Sequence, residues 1–398
     1  MYVKVPREEV VHRLERFQEE LVKIGLDAAL ITHNADLLYL TGTIQQAQLW
    51  VPAQGQPLLL VKKNLARARD DSPLDRIFPL SGLAEMPGIL KEFGLFPAGR
   101  FRLGLELDVL PAKFYLRYQH LFPTVQVEDI SPVLRQIRAV KSEFELDMMR
   151  KAGEMADALF QAAQEILVEG MSEVELAGLV EAVVRKAGHQ ALVRVRSYGA
   201  ELVWGHLLSG PPAVQPSLFD SPTGGIGVSP AMPHGSGFRK IGRREPVILD
   251  YPGVYNGYIL EQTRILSLGS LPPHLEDAYQ VSREILAYLE QEVRAGMTWG
   301  EVDLLARRKA EKSHFAANFL GFDGYRVPFV GHGVGLELDE LPVLAAGLEK
   351  PLLSGMTVAI EPKFLFPDEG VVGLENTYVV RENGLESLMT SSEELVFL

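Results

Sequence analysis

The sequence contains no cysteine, so the chain can form neither disulfide bonds nor metal sites with thiolate ligands. It also lacks a run of about 18 apolar residues that could span a bilayer, so we expect no membrane association. Basic residues are the minority, with 39 Lys and Arg against 52 Asp and Glu and a net charge of −13. This balance argues against nucleic-acid binding, which requires a basic face. Any bound metal must therefore be held by oxygen and imidazole ligands.

The remaining composition is that of a globular protein. The chain has 398 residues, of which 47% are hydrophobic and 23% are charged, a size that favours two or three domains. Its first residues, MYVKVPREEVVHRLERF, carry too many charges for a signal peptide. The sequence therefore predicts a cytoplasmic protein.

Residues 1–135 alternate between helix and strand patterns. Apolar residues recur every three or four positions from Pro6 to Ile24, which predicts a helix, and the run DAALIT at 27–32 predicts a buried strand. Further strands are predicted at 101–106 and 125–129, with a helical segment between them. Such alternation predicts a small three-layer α/β domain.

Residues 136–398 open with a helix signal that returns later in the chain. Ser142 begins the S-x-x-E pattern of a capping box, and we expect the amphipathic helix that follows to end at Gly170. The sequence Gly-Met followed by Ser or Thr then opens a second capped helix, once at Ser172 and again at Thr298. We interpret this echo as two related α+β halves that each supply ligands to a site between them. Because capping boxes are common, the alternative that the echo has no such meaning stays open.

The stretch 246–264 predicts a β-hairpin with a carboxylate near each end. A short apolar run ends on Asp250, Asn256-Gly257 is a strong signal for a tight turn, and the returning strand ends on Glu261. Two neighbouring carboxylates repel each other unless a cation lies between them or one is protonated. The hairpin therefore indicates a metal site, with two solvated acids at strand ends as the alternative.

Three later residues have matching chemistry. His332 lies between two glycines, which let backbone and ligand approach closely. Glu361 follows the apolar run TVAI, and Glu375 lies inside VVGLENTYVV, where an acid needs a partner or a proton. With Asp250 and Glu261 these residues offer four carboxylates and one imidazole. That set suits two divalent ions such as Mn²⁺, Co²⁺, Fe²⁺ or Zn²⁺.

From Arg138 to its end the chain resembles the creatinase/prolidase/methionine aminopeptidase superfamily, which has the pita-bread fold. The motifs that carry the resemblance are D…GY…TR from Asp250, GHGVGLE from Gly331 and SGM…IEP from Ser354. The earlier stretch LVKIGLDAALITHNADLLYLTG resembles the N-terminal domain of the creatinase, prolidase and aminopeptidase P branch.

The resemblance implies the fold and the site residues. It implies a creatinase-like three-layer α/β domain at 1–135 and an α+β pita-bread domain with pseudo-twofold halves at 136–398. The family's metal ligands run Asp, Asp, His, Glu, Glu, and they match Asp250, Glu261, His332, Glu361 and Glu375. By resemblance Glu361 is also the proton shuttle, and His234 matches an upstream histidine that contacts the substrate.

Four positions depart from the family pattern. Glu261 stands where the ligand is usually Asp, so its carboxylate is moved by about one methylene. Asp339 stands where a second substrate-contacting histidine usually lies, and the absence of that histidine argues against ordinary Xaa-Pro peptidase activity. Gly373 replaces an arginine that orients the carboxylates. Lys363 replaces a glycine, and we hypothesise that its positive charge offsets a missing cation.

The resemblance also implies the activity. It implies a metallopeptidase of the aminopeptidase P or prolidase type that hydrolyses short, proline-containing peptides. Two Mn²⁺ or Co²⁺ ions are expected, with Zn²⁺ and Fe²⁺ as alternatives, and the protein is expected to be a homodimer. One alternative is a metal-independent hydrolase like creatinase, which chelators would not inhibit. Another is a non-catalytic homologue that binds peptide or protein partners and shows no turnover with any metal.

Overall fold

In a computed structural model that describes residues 3–96, 99–196 and 204–398, the chain divides into two compact units. The first unit contains the described residues up to Arg138, together with Arg196. The second contains Ala139–Val195 and the residues from Trp204 onward. The boundary predicted between residues 135 and 136 lies close to this division.

The first unit is built on a mixed sheet with the strand order β4-β3-β2-β1-β5-β6. The strands are β1 (Ala28–Ile31), β2 (Ala47–Pro52), β3 (Leu58–Val61), β4 (Ile77–Pro79), β5 (Phe101–Leu105) and β6 (Val125–Asp129). The helices are α1 (Arg7–Ile24), α2 (Asn34–Thr41), α3 (Leu65–Asp71), α4 (Met86–Glu92), α5 (Ala112–Leu121) and α6 (Ser131–Ala139).

This sheet is covered on both faces. Every residue of β1 and of β3 is buried, and successive residues of a strand point to opposite faces. Both faces must therefore pack against other elements, as in sheets that are sandwiched between helices. The predicted three-layer α/β arrangement is confirmed.

Among its described residues, the second unit contains two larger sheets and two small hairpins. The helices are α7 (Glu143–Ile166), α8 (Glu173–Lys186), α9 (Pro273–Glu292) and α10 (Trp299–Glu311). One sheet has the order β19-β11-β8-β7, formed by β7 (His206–Ser209), β8 (Val247–Asp250), β11 (Thr263–Ser267) and β19 (Val396–Phe397). The other has the order β13-β12-β14-β17-β18, formed by β12 (Phe329–Gly333), β13 (Glu340–Ala345), β14 (Thr357–Ile360), β17 (Asn376–Arg381) and β18 (Gly384–Ser387). The hairpins are β9 (Gly253–Tyr255) with β10 (Tyr258–Leu260), and β15 (Lys363–Phe366) with β16 (Gly370–Gly373).

The two halves of this unit repeat one device. In the first half β8 and β11 pair antiparallel around the β9–β10 hairpin, and in the second half β14 and β17 pair around the β15–β16 hairpin. Asp250 and Glu261 flank the first hairpin, while Glu361 and Glu375 flank the second. A backbone bridge between Thr263 and Glu375 joins the halves. The predicted pseudo-twofold arrangement is confirmed, and each half delivers two carboxylates to equivalent positions.

The structure agrees with the predicted turn and differs from the prediction at one helix end. Asn256 and Gly257 have φ angles of 49° and 90°, the conformation that a tight hairpin turn requires. The helix capped by Ser142 ends at Ile166, so the prediction that it reaches Gly170 is wrong. Leu167 has already left the helical conformation with ψ 122°, and the Gly170 N–H donates to Ile241 O. Within the described residues, no helix is long and apolar enough to cross a bilayer.

Candidate metal centre

Lys363 lies at the centre of the predicted ligand set. Its ammonium Nζ is 2.8 Å from Asp250 Oδ2, 2.8 Å from Glu361 Oε2 and 3.4 Å from Glu375 Oε2. The lysine side chain is fully buried. An ammonium group has three N–H donors, so these carboxylates use all of them. Lys363 thus brings its positive charge among the predicted ligands, as hypothesised from the sequence.

The neighbouring strand makes room for this lysine. Lys363 is directly opposite Gly373 in the β15–β16 pair. A Cβ atom on Gly373 would lie 2.7 Å from Lys363 Cα and 3.1 Å from its Cγ, and Gly373 has a φ of 153°. The side chain of Lys363 therefore passes directly beside a glycine, the residue that leaves it room. The arginine expected at position 373 is absent. The carboxylates are instead contacted by the ammonium of Lys363, which pairs with Gly373 on the neighbouring strand.

A second cluster lies beside the lysine, formed by Glu261, His332 and Glu375. One ligand atom from each residue lies within 4.8 Å of the others, and all three side chains are buried. His332 Nε2 is 3.7 Å from Glu261 Oε2, an oxygen that has no hydrogen-bond partner among the described residues. Glu375 Oε2 accepts a hydrogen bond of 2.8 Å from Thr263 Oγ1. Glu375 therefore belongs both to this cluster and to the group around Lys363.

The crowding of acids perturbs these groups. Burial raises the pKa of the Glu261 carboxyl well above its ordinary value, and Glu375 adds to the rise against the opposing effect of His332. Burial also raises the pKa of Glu375, to about 7, although Lys363 opposes the shift. Burial disfavours the charged form of His332, but Glu261 and the other acids outweigh it and raise its pKa to about 10. Such shifts are typical of functional sites in which buried acids crowd together.

Asp250 behaves differently because it is paired directly with the lysine. Burial would raise the pKa of its carboxyl, but the Lys363 ammonium and then His206 hold that pKa below its usual range. Asp250 is therefore an ionised partner of Lys363.

Two histidines lie next to this centre. His206 faces Asp250 in the register of β7 and β8, and burial lowers the pKa of its imidazole to about 4. The ring of His234 is 5.8 Å from that of His206, and 4.9 Å from that of Phe219. Within the described part of the chain, neither nitrogen of the buried His234 has a hydrogen-bond partner. A buried imidazole in this state is suited to a ligand that supplies the missing bond.

His234 is a site residue predicted from the sequence, whereas His206 is not. The only local signal for His206 is one histidine at the start of the apolar run HLLS, a pattern that a packed histidine shares. Its position beside Asp250 depends on strand pairing across a long loop.

Asp339 occupies the place of the second family histidine in sequence, and its side chain is 56% exposed. Its Oδ1 is 3.6 Å from His332 Nδ1. The Asp339 carboxylate therefore lies within ion-pair distance of the His332 imidazole, on the side that faces solvent.

The donor set of the Glu261–His332–Glu375 cluster fits a divalent ion. It offers oxygen and imidazole ligands, and the orphaned Glu261 oxygen is what a bound cation would satisfy. The carboxylates around Lys363 do not fit a second divalent ion, because an ammonium already lies against Asp250, Glu361 and Glu375.

The first unit contains another group of acids and histidine, formed by His33, Asp36 and Glu106. Asp36 accepts hydrogen bonds of 2.8 Å from Arg138 and 2.6 Å from Arg196. These guanidinium groups supply the positive charge that a metal would bring, so we assign no ion there.

Known proteins resemble the chain over nearly its whole length. An uncharacterized peptidase, YqhT, from Bacillus subtilis is 26% identical over 97% of this chain and 100% of its own. A Xaa-Pro dipeptidase from Pyrococcus horikoshii is 26% identical over 96% of this chain and 98% of its own. The crystal structure of a dipeptidase from Pyrococcus horikoshii is 28% identical, with a TM-score of 0.78 over 97% of this chain and 100% of that one.

Two family models cover the two parts of the chain. The Creatinase/Prolidase N-terminal domain matches residues 13–140, and Metallopeptidase family M24 matches residues 147–382, which is more than half of the sequence. Because the second model covers more than half of the sequence, the chain belongs to metallopeptidase family M24.

Proposed function

We propose that this chain is a metal-dependent peptidase that hydrolyses short peptides at Xaa-Pro bonds. The observation that carries the proposal is the buried cluster of Glu261, His332 and Glu375. One oxygen of Glu261 in this cluster has no hydrogen-bond partner among the described residues. The substrate class is supported by the relative named Xaa-Pro dipeptidase, which aligns over nearly the whole chain.

The roles proposed for individual residues rest on the cluster just described and, for Glu361 and His234, on the family resemblance. Glu261, His332 and Glu375 would hold the ion, which when bound lowers the pKa of a water toward neutral. Glu361 would accept a proton from the attacking water and pass it to the leaving nitrogen. Burial lowers the pKa of His234, so its neutral ring would donate a hydrogen bond to the developing oxyanion.

The identity of the ion remains a prediction. Oxygen and imidazole ligands without thiolate favour Mn²⁺ or Co²⁺, with Zn²⁺ and Fe²⁺ as the alternatives. The sequence predicts two ions per chain, and the Lys363 ammonium bears directly on that number.

The test compares matched dipeptides that carry proline or alanine at the second position. The protein is stripped with a chelator, dialysed, and assayed before and after Mn²⁺ or Co²⁺ is restored. We expect cleavage only with metal, and a higher kcat/KM for the Xaa-Pro substrate. Equal rates on both substrates would contradict the proline requirement. No cleavage with any metal, together with retained peptide binding, would favour the non-catalytic alternative.

One observation favours a second candidate, metal-independent hydrolysis of the creatinase type. A permanent cation, the Lys363 ammonium, already lies among the acids. In that case activity would survive complete removal of metal, so the chelated sample separates the two functions.

Two further expectations concern the state of the protein. The family resemblance leads us to expect a homodimer, which light scattering coupled to size-exclusion chromatography would detect as twice the chain mass of 44.1 kDa. The cytoplasmic location stays a prediction.

A further inference from the structure

We propose that the Lys363 ammonium permanently replaces one of the two cations expected at this centre, so that the chain binds a single divalent ion. The inference rests on the proposed function, because it assumes that the Glu261–His332–Glu375 cluster is a metal site. It goes further by setting the number of ions and by giving Lys363 a positioning role.

The Lys363 ammonium already supplies a positive charge and hydrogen bonds to three of the carboxylates. Its nitrogen reaches Asp250, Glu361 and Glu375 at 2.8, 2.8 and 3.4 Å, from a side chain with no exposed surface. Lysine carries a compact point charge with three donors, which matches three acceptor oxygens. Asp250 and Glu361 therefore already have a cationic partner.

An ion bound to the same oxygens would also have to approach the ammonium closely. Carboxylate ligands lie about 2.0–2.2 Å from an ion such as Zn²⁺. An ion at that distance from both Asp250 Oδ2 and Glu361 Oε2 would compete for space with the nitrogen that lies 2.8 Å from each oxygen. It would also meet a like charge in a buried site, where screening is weak.

The β15–β16 strand pair holds Lys363 in place. Lys363 is the first residue of β15, and its stem lies against the backbone of Gly373. Ser282 Oγ on α9 donates to Pro362 O at 2.5 Å and accepts from Leu374 N at 3.1 Å. These bonds fix both strands next to the lysine, so the ammonium is held among the carboxylates.

The ligands that remain are enough for one ion. Of Glu261, His332 and Glu375, only Glu375 contacts the Lys363 ammonium, and it does so at the longest of the three distances. The unsatisfied Glu261 oxygen lies on the His332 side of the centre. The single ion would therefore bind at this cluster.

The test measures bound metal in the full chain. Wild type, Lys363→Ala and Lys141→Ala are stripped, loaded with Mn²⁺, desalted and analysed for manganese per chain. Lys141 is a matched control, because it is also a buried lysine paired with a carboxylate, Glu340 at 2.9 Å, outside the ligand set. We expect one ion per chain in wild type and in Lys141→Ala, and two in Lys363→Ala.

A spectroscopic measurement on wild type keeps the test valid if a variant does not fold. The electron paramagnetic resonance spectrum of the Mn²⁺-loaded protein should be that of isolated ions, without exchange coupling to a second ion. Two coupled ions in wild type would overturn the replacement by Lys363 and leave the metallopeptidase function standing. No bound ion in wild type would overturn both the inference and the proposed function, so the two failures are distinct.

Discussion

Glu361→Gln should lower the kcat for Xaa-Pro hydrolysis by about 10²- to 10⁴-fold, the range typical of a lost general acid–base group. The amide cannot take a proton from the attacking water, but it has the shape of the carboxylate. Its oxygen can still accept the hydrogen bond that Lys363 Nζ donates at 2.8 Å. The loss should therefore appear in kcat, measured with a metal-saturated enzyme, while the melting temperature changes little.

The matched control for this variant is Glu349→Gln, which makes the same change on an exposed loop. It should keep wild-type kcat and KM. Full activity of Glu361→Gln at saturating metal would contradict the assigned proton-transfer role.

Lys363→Ala should reduce the free energy of unfolding of the metal-free protein by about 3–5 kcal/mol, as when one partner of a buried ion pair is removed. The substitution leaves Asp250, Glu361 and Glu375 without the ammonium that all three contact. Urea denaturation in the presence of a chelator measures this loss. Because the variant offers space for a further ion, Mn²⁺ should raise its unfolding free energy more than that of wild type.

Lys141→Ala separates this effect from a general loss of buried charge. It also breaks a buried ion pair, with Glu340, and should destabilise the protein. Its gain in stability from Mn²⁺ should nevertheless equal that of wild type. Equal gains for all three proteins would mean that Lys363 does not stand in for an ion.

The hairpin that carries two of the proposed ligands could be predicted from the sequence because its turn is a strong local pattern. Asn256-Gly257 requires two positive φ angles, so it fixes the hairpin that carries Asp250 and Glu261. The S-x-x-E pattern likewise predicted a capping box at Ser142, which is confirmed with both of its hydrogen bonds. These features depend on neighbours in sequence.

The features that were missed or only hypothesised depend on long-range pairing. His206 lies beside Asp250 only because β7 pairs with β8 across a long loop. The sequence suggested that Lys363 brings charge to the site, but its contacts with three carboxylates from two different halves require the folded strands. The link between Lys363 and Gly373 is a register position, which neither residue reveals alone.

The most direct test of a single metal site is the position of the metal in a crystal grown with Mn²⁺, located by anomalous scattering. We expect a single peak beside Glu261, His332 and Glu375, with Lys363 Nζ still in contact with Asp250 and Glu361. A peak between Asp250 and Glu361 with the lysine displaced, or no peak at all, would contradict it.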